Sequence, residues 1–269
     1  MSPTRVAHVL YGGLGGHATV VFDIIQGSGL QQSLVFLSPE PPLQQYTELA
    51  TQLGVPFAWV RADGRRLSYP LRIRRAIRSQ RPAVIVVHSA GAALVAAAMG
   101  LMPKGPAVIY VEHHSWPLRD RTMRLASIVS LARADAVVAL SDEYADRLRE
   151  TFPRLPHERL HVIPNGVDTT IFRPSRFRPA AHQAQTILIG MQSRLTPIKD
   201  HRTLLVAMQH LVNDGLDVRL RIAGDGGELG NLQQLTHDLG LDDHVDFEGL
   251  LDQSSVVHFL QELDIYVHA

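Results

Sequence analysis

Residues 5–18 read RVAHVLYGGLGGHA, and this stretch decides how the chain begins to fold. The run from Arg5 to Tyr11 is mostly apolar and predicts a buried β-strand, and the apolar residues 18–27 beyond the glycines predict a helix. Glycines between a strand and a helix let the backbone approach a ligand, and the amides at a helix start can bind an anion. The stretch therefore predicts a βα unit with a ligand loop.

The same alternation of short apolar runs and longer amphipathic stretches continues outward from this unit. It is typical of βαβ units with a parallel sheet that helices cover on both faces. Strands are predicted at 5–11, 33–37, 56–60, 83–88, 107–112, 136–140 and 160–163, and helices at 18–27, 43–53, 68–79, 91–99, 122–133 and 143–152. These elements predict a doubly wound domain over residues 1–175.

A second domain is predicted after a proline-containing linker at residues 176–185. The alternation restarts there, with strands at 186–191, 218–223, 245–248 and 265–268 and helices at 202–213, 228–239 and 256–263. The sequence stops at the last of these strands, and a parallel strand needs helical cover on both faces. We therefore expect residues 186–269 to be an incomplete domain of a fragment; the alternative is a domain that ends on an edge strand.

Composition excludes several classes of protein. The 269 residues include no Cys, which removes disulfides, iron–sulfur clusters, thiolate zinc sites and Cys nucleophiles. We find neither a signal-peptide core nor an apolar run long enough to cross a membrane. The P-loop, the hydrolase elbow, the H-E-x-x-H zinc motif and a D-x-D pair are also absent from the sequence. These observations predict a soluble, cytoplasmic protein.

Charge is distributed unevenly although the net charge is zero. Residues 1–175 hold 19 Lys+Arg against 13 Asp+Glu, and the remainder holds 7 against 13. From Arg61 to Arg81 there are eight arginines and one acid, with Leu71, Ile73 and Ile77 as an apolar stripe. Such a helix either lies on an anionic membrane, here the inner face, or is an ordinary solvated helix. No aromatic or recognition-helix pattern accompanies the charge, so nucleic-acid binding is not predicted.

The first glycine loop also fits a dinucleotide fingerprint. Gly13, Gly15 and Ala18 satisfy G-x-G-x-x-A, and Glu40 stands beyond the second predicted strand, where an acid can bind a ribose. An NAD-dependent oxidoreductase is therefore one hypothesis for this loop. The alternative is that these glycines only form a tight turn and allow the helix to pack closely.

A polar cluster, Glu112-His113-His114, follows the fifth predicted strand. Open α/β sheets bind ligands at the carboxyl ends of their strands, so His113 is a candidate for substrate contact or a structural histidine. A metal is the least favoured alternative, because adjacent strand residues point to opposite faces and a third ligand would be needed.

Two loops of the second domain combine charge with glycine. SRLTPIKD, from Ser193 to Asp200, follows a strand and carries Arg194 and Lys199, whose cations can converge on a diphosphate. AGDGGE, residues 223–228, has the same construction one βα unit later, and its amides can meet a phosphate. Solvated surface cations are the alternative for Arg194 and Lys199.

Taken together, these blocks resemble the family-4 retaining glycosyltransferases of the GT-B fold. The blocks occur in family order: Gly15-Gly16, VIPNGVDTTIF, SRLTPIKD, RIAGDGGEL, VDFEGLL and LDIYVHA. The resemblance covers the whole chain and implies two Rossmann-like, doubly wound domains that face a cleft, the second incomplete. It also implies transfer of a sugar from a nucleotide-diphosphate sugar to a polysaccharide or lipid-linked acceptor.

The resemblance assigns roles to individual residues. Arg194 and Lys199 would hold the donor diphosphate and offset charge on the leaving nucleotide, and His113 would be the catalytic sugar-site histidine, with His114 as its alternative. The substrate- and nucleotide-binding residues implied in the same way are Gly15, Gly16, Asn165, Asp225, Gly226 and the backbone around Glu248 and Gly249. The resemblance implies no metal and no cofactor, because Arg and Lys do the work of a metal.

The sequence departs from the family pattern at three places. His17-Ala18 follows the glycines where many relatives have an acid, and Asp200 stands where the family usually has Gly. The E-x7-E pair that the family places after the LDIYVHA block has no counterpart there in the 269 residues. Activity of this chain by itself is therefore in doubt, and a non-catalytic binding remnant remains an alternative.

Overall fold

The computed structural model describes two compact units, Met1–Val167 and Asp168–Ala269, which we call the first and second units. The residues it describes are 4–13, 16–63, 68–88, 105–113, 128, 130–175 and 186–268. The predicted linker at 176–185 and the predicted helix at 91–99 lie outside these ranges, as does most of the predicted helix at 122–133. The division between units falls a few residues before residue 175, where we predicted the first domain to end.

The first unit is a parallel sheet of seven strands in the order β3-β2-β1-β4-β5-β6-β7. Its strands are β1 Arg5–Tyr11, β2 Gln31–Ser38, β3 Phe57–Arg61, β4 Val84–His88, β5 Ala107–Glu112, β6 Ala136–Ala139 and β7 Leu160–Val162. Its helices include α1 Gly16–Gly27, α2 Gln44–Gln52, α3 Tyr69–Gln80 and α4 Asp142–Thr151. The strand order reverses between β1 and β4, and open α/β sheets bind ligands at such a switch point.

Each face of this sheet has its own apolar core. On one face, α3 and α4 cover Val9, Val35 and Val87. On the other face, α1 and α2 cover Leu10, Leu34 and Phe36. Alternate strand residues point to opposite faces, so apolar residues at consecutive strand positions fill both cores.

The second unit has a parallel sheet in the order β10-β9-β8-β11. Its strands are β8 Ile187–Gln192, β9 Val218–Ala223, β10 Val245–Gly249 and β11 Ile265–Tyr266, and its helices are α5 His201–Asn213, α6 Leu229–Asp238 and α7 Gln253–Glu262. Met191, Leu205 and Leu220 are fully buried in its core. The switch point of this sheet lies between β8 and β11.

Helix α7 begins three residues before its predicted start at residue 256. Asp252 caps it by accepting a hydrogen bond from the Ser255 amide at 2.7 Å, and Ser254 donates to the same oxygen at 2.8 Å. An Asp N-cap satisfies an amide that would otherwise have no partner in the helix. The apolar period alone misplaced the helix start because it does not include this cap.

Within the described ranges, every helix falls short of the length and apolar character that a membrane-spanning helix requires.

Candidate functional site

Two loops meet at the carboxyl end of the second unit's sheet: the cation loop, residues 193–200, and the glycine loop, residues 224–228. The Leu195 amide donates to the Asp225 carbonyl at 3.0 Å, and the Glu228 amide donates to the Leu195 carbonyl at 3.1 Å. The Leu195 side chain is fully buried and anchors the cation loop in the core. The backbone of each loop therefore fixes the position of the other.

Close approach between these loops explains Gly224. Its φ is +138°, and a Cβ built there would lie 1.9 Å from the Ser193 carbonyl oxygen. Real side chains do not tolerate such a contact, and this backbone region is essentially restricted to glycine. Gly226 is similarly close to the Leu195 carbonyl, at 2.3 Å. Both glycines thus have a packing role that does not depend on a ligand.

Arg194 and Lys199 lie on the cation loop at the switch point between β8 and β11. The Arg194 side chain is exposed and makes no ion pair with the part of the chain that the structure describes. Lys199 is half-buried, and its Nζ lies 3.1 Å from Nε2 of His268, which follows β11. Lys199 is therefore held against the end of β11, across the switch point, while Arg194 extends from the same loop toward solvent.

Asp200 occupies the position where the family usually has Gly, and the structure explains how. Its φ of +43° is the left-handed conformation that favours glycine, and Asp is among the side chains that tolerate it best. Its carboxylate also accepts a hydrogen bond from the Thr203 amide at 3.4 Å and caps α5. Asp200 therefore keeps the backbone turn of glycine and adds a helix cap.

His201, the first residue of α5, ties that helix to the cation loop. Its Nε2 lies 3.0 Å from Ser193 Oγ, and the ring is buried. Burial lowers the pKa of His201, and the nearby His268 and Lys199 lower it further. A neutral His201 can keep the hydrogen bond to Ser193 without adding a third charge to the loop.

The remaining predicted residues of the second unit lie around the glycine loop. Asp225 is exposed, and its Oδ1 accepts from the Gly226 amide at 2.7 Å. The Glu248 carboxylate accepts from Arg221 Nε at 2.5 Å, while the Gly249 carbonyl accepts from the Gly224 amide at 2.7 Å. The side chain of Glu248 is therefore engaged by an arginine, while the backbone of Gly249 contacts the glycine loop.

In the first unit, α1 begins at Gly16, immediately beyond the end of β1 and at the switch point with β4. Among the described residues, no atom lies within 4 Å of a Cβ built at Gly16. Packing therefore does not require glycine here, and the position is open to an approaching group. Gly15 and His114 lie outside the described residues.

His113 belongs to a hydrogen-bonded row that we call the histidine row: Gln32, His8, His88 and His113. His8 Nε2 lies 2.5 Å from Gln32 Oε1, His8 Nδ1 lies 3.1 Å from His88 Nε2, and His88 Nδ1 lies 2.9 Å from His113 Nε2. His8 and His88 are each 1% exposed. The row thus connects the buried centre of the sheet to its carboxyl edge.

Burial controls the charge of the two inner histidines. It lowers the pKa of His8, although the hydrogen bond that His8 donates to Gln32 Oε1 acts in the opposite direction. It lowers the pKa of His88 well below its usual value, and the nearby His8, His113 and His17 imidazoles add to that effect. Both rings are therefore neutral at pH 7.

Glu112 points to the opposite face of the sheet from its neighbour His113. It is 2% exposed, and its carboxylate accepts a hydrogen bond from the Tyr110 hydroxyl. Burial and this carboxylate together raise the pKa of Tyr144. A cavity of about 330 Å³ opens beside these groups and is lined by Glu112, His113, Leu140, Ser141, Glu143, Tyr144 and Arg147.

Within the described residues, no group of three or more His, Asp or Glu has an arrangement that could hold a metal ion. The ring nitrogens of neighbouring histidines in the row lie at hydrogen-bond distances, so each such pair of nitrogens has a proton between them.

Each part of the chain matches a known protein family. A family profile described as Glycosyltransferase Family 4 matches residues 14–171, more than half of the chain, and one described as Glycosyl transferases group 1 matches residues 173–269. This chain belongs to glycosyltransferase family 4. The family match decides against the oxidoreductase interpretation of the first glycine loop.

Individual relatives of this glycosyltransferase agree with that assignment. It is 26% identical to the putative glycosyltransferase EpsF of Bacillus subtilis over 99% of this chain and 73% of EpsF. It is 32% identical to a GDP-mannose-dependent phosphatidylinositol monomannoside mannosyltransferase of Mycobacterium tuberculosis over 43% of this chain and 31% of that protein.

Solved structures show that the glycosyltransferase has the GT-B fold. Anabaena Alr3699/HepE, crystallised with UDP and glucose, has a TM-score of 0.79 at 19% identity and covers 99% of this chain and 74% of its own. Sucrose-phosphate synthase from Thermosynechococcus elongatus has a TM-score of 0.77 at 15% identity, covering 98% and 74%. The predicted fold class and family are thereby confirmed.

Asn165 of this glycosyltransferase is not brought to the switch point of the first unit. It is exposed in the segment after β7, the edge strand. Four strand spacings separate β7 from β1, or roughly 19 Å at about 4.8 Å per spacing. Its assignment as a binding residue stays a prediction.

Five side chains of the glycosyltransferase that contact the cation loop or belong to the histidine row are not among the residues predicted from the sequence: His8, Gln32, His88, His201 and His268. The sequence does contain an indication of the histidine row, because His8, His88 and His113 each lie in or just after a predicted parallel strand. Aligning the strands would have shown a shared face. His268 gave no such signal, because its contact depends on how β11 crosses to the far side of β8.

Proposed function

We propose that the chain transfers a glycosyl group, with retention at the anomeric carbon, from a nucleotide-diphosphate sugar to a polysaccharide or lipid-linked acceptor. The observation that carries this proposal is the cation loop, where Arg194 and Lys199 stand at the switch point of a nucleotide-type fold. The likeness to Alr3699/HepE, which was crystallised with UDP and glucose, supports a nucleotide sugar as donor.

The chemistry of the transfer gives the two cations a role. A bond forms between the acceptor oxygen and the anomeric carbon, the bond to the diphosphate oxygen breaks, and the hydroxyl proton leaves with the nucleoside diphosphate. Negative charge grows on the departing diphosphate, so cations held beside it stabilise the transition state more than the ground state. His113 would contact the transferred sugar, and no metal or cofactor is required.

The first test measures nucleotide binding. UDP and GDP are titrated into the protein by calorimetry, and we expect Arg194→Ala and Lys199→Ala each to weaken binding about 10- to 100-fold, because each removes a charge-assisted hydrogen bond of about 1.5–3 kcal/mol. Arg219→Ala is the matched control, since Arg219 is an exposed arginine near the amino end of β9, away from the loops. Retention of the parent affinity in both loop variants would refute the phosphate assignment.

A transfer assay separates the enzyme from a binding remnant. If the protein binds a nucleotide but transfers no sugar to any lipid-linked or glycan acceptor supplied with UDP-glucose or GDP-mannose, the remnant alternative is favoured.

We further propose that the protein is cytoplasmic and contacts the inner face of the membrane through α3. The apolar stripe is not available for insertion, because Ile73 and Ile77 are fully buried against the sheet. Of that stripe only Leu71 remains exposed, at 55%, beside Arg75 and Arg78. Contact would therefore be mainly electrostatic, with basic residues near anionic headgroups.

This contact predicts binding to anionic vesicles. We expect Arg75→Glu/Arg78→Glu to weaken co-sedimentation with phosphatidylglycerol–phosphatidylcholine vesicles about 30-fold or more, since each basic residue near the surface contributes about 1 kcal/mol. Arg147→Glu/Arg154→Glu makes the same charge change at exposed arginines elsewhere in the first unit. Equal vesicle binding by the parent and the α3 variant would rule out this surface.

A further inference from the structure

His268 lies just beyond β11, across the second unit's switch point from the cation loop. The Val267 amide donates to the Gly190 carbonyl of β8 at 2.9 Å, so the parallel pairing of β8 with β11 extends to the residue before His268. Because the carboxyl ends of paired parallel strands meet at one edge of a sheet, His268 and the cation loop that follows β8 are brought together there. The sheet order therefore joins Lys199 to a residue 69 positions later.

The His268 ring is oriented by Tyr266 on β11. The two rings are stacked, with 6.4 Å between their centroids and 18° between their planes. The Tyr266 hydroxyl donates to the carbonyl oxygen of Gln192, the last residue of β8, at 3.3 Å. Hydrogen bonds to β8 therefore hold both the backbone before His268 and the ring beside it, and these contacts do not involve Lys199.

The bond between Lys199 and His268 has a defined direction. An ammonium group only donates, so the hydrogen bond of 3.1 Å runs from Lys199 Nζ to Nε2 of His268. A ring that accepts at Nε2 is neutral and carries its proton on Nδ1. Lysine has three N–H donors, and within the described ranges Nζ gives one hydrogen bond, to His268. The other two donors can bind the oxygens of an anion.

The partner of Lys199 is neutral, although a carboxylate stands next to it in the sequence. The Asp200 carboxylate accepts from the Thr203 amide and caps α5, and among the described residues Lys199 makes no ion pair. An ion pair would offset the charge of the ammonium, whereas a neutral imidazole restricts the side chain and leaves the charge in place. A long, flexible lysine loses rotamer freedom when it binds, so a lysine that is held beforehand loses less.

We infer that His268 is a positioning residue, which holds the Lys199 ammonium at the switch point with its charge intact and two N–H donors available to the diphosphate of a sugar nucleotide. The diphosphate contact rests on the proposed function; the bond between Lys199 and His268 does not. Every group involved belongs to the second unit. His268 therefore contributes to nucleotide affinity through Lys199, without touching the nucleotide.

The bond is measured without any ligand. In protein labelled with ¹⁵N-histidine, long-range ¹H–¹⁵N correlation spectra distinguish Nδ1–H from Nε2–H rings, and His268→Gln assigns the His268 signals by their loss. We expect Nδ1–H at His268 in the parent and exchange between both tautomers in Lys199→Ala, because the donor to Nε2 is then gone. An Nε2–H ring at His268 in the parent, or an unaltered His268 tautomer in Lys199→Ala, would overturn the inference.

Nucleotide titrations test the role of the bond. With UDP and GDP as probes, His268→Leu should raise the Kd about two- to tenfold, because binding must then order the lysine side chain. His268→Gln should restore most of the affinity, since its Oε1 can accept the same hydrogen bond. His258→Leu removes an exposed histidine of α7 and should bind as the parent does. Parent affinity in His268→Leu, or an equal loss in the two His268 variants, would contradict the positioning role.

A double-variant cycle separates positioning from direct contact. If His268 acts through Lys199, adding His268→Leu to Lys199→Ala should not change the Kd further. A further loss by the same factor as in the parent background would mean that His268 binds the nucleotide itself and is not a positioning residue. A parent protein that binds neither UDP nor GDP would refute the proposed function and with it the diphosphate contact, while the spectra decide the Lys199–His268 bond by themselves.

Discussion

Lowering the pH from 7 to 5 is expected to destabilise the first unit strongly, because His8 and His88 must remain neutral when folded. Their pKa values are both lowered from the ordinary 6.5, chiefly by burial. The unfolded chain therefore binds protons at these histidines as the pH falls through about 6.5, while the folded unit binds them only at lower pH. Each histidine contributes a slope of up to about 1.4 kcal/mol per pH unit, so the two together approach 3 kcal/mol per pH unit.

This slope is large against the total stability of a domain, about 5–15 kcal/mol. Both tryptophans of the sequence, Trp59 and Trp116, precede residue 168, where the second unit begins, so tryptophan fluorescence during urea unfolding reports on the first part of the chain. The free energy of unfolding is measured at several pH values between 7 and 5, above the range where ordinary carboxylates titrate.

Two variants separate the buried histidines from other titrating groups. His8→Leu/His88→Leu removes both and should flatten the slope, whereas His161→Gln changes an exposed histidine of β7 and should leave it as in the parent. A double variant that loses stability with acid as steeply as the parent would mean that other groups control this unit at low pH.

Much of the fold could be predicted from the sequence because parallel strands buried on both faces give continuous apolar runs. Predicted β1 matches the observed Arg5–Tyr11, and predicted β9 matches Val218–Ala223. The predicted ends of helices and strands are less accurate where a polar side chain sets the boundary, as Asp252 does at the start of α7. A cap depends on local backbone geometry, which hydrophobic periodicity does not encode.

The candidate site could be predicted only in part. Loop composition predicts Arg194 and Lys199 as candidates, because a strand end, two cations and a helix start are all local features. The pairing of Glu248 with Arg221 and the Lys199–His268 contact join residues 27 and 69 positions apart, so they depend on sheet order. The histidine row likewise requires the register of four strands. Local pattern locates a loop at a switch point, but the register decides which side chains meet there.

Replacing Gly224 with alanine is expected to disrupt the second unit's loops more than any surface substitution in them. The added Cβ would lie 1.9 Å from the Ser193 carbonyl oxygen at a φ of +138°. Overpacking costs about 1–3 kcal/mol and the unfavourable backbone a further 1–3 kcal/mol, so we expect a loss of about 3 kcal/mol or more in the free energy of unfolding. The two loops would separate, and Arg194 and Lys199 would lose their fixed backbone.

Gly227→Ala provides the matched control, because a Cβ at Gly227, three residues along the same loop, meets no atom within 4 Å. Its stability, followed by far-UV circular dichroism during thermal unfolding, should stay within about 0.5 kcal/mol of the parent, as at ordinary surface sites. Nucleotide affinity should fall with Gly224→Ala and persist with Gly227→Ala. Equal stability and affinity in the two variants would contradict the close packing of the cation and glycine loops, because a Cβ at Gly224 would meet the cation-loop backbone and a Cβ at Gly227 would not.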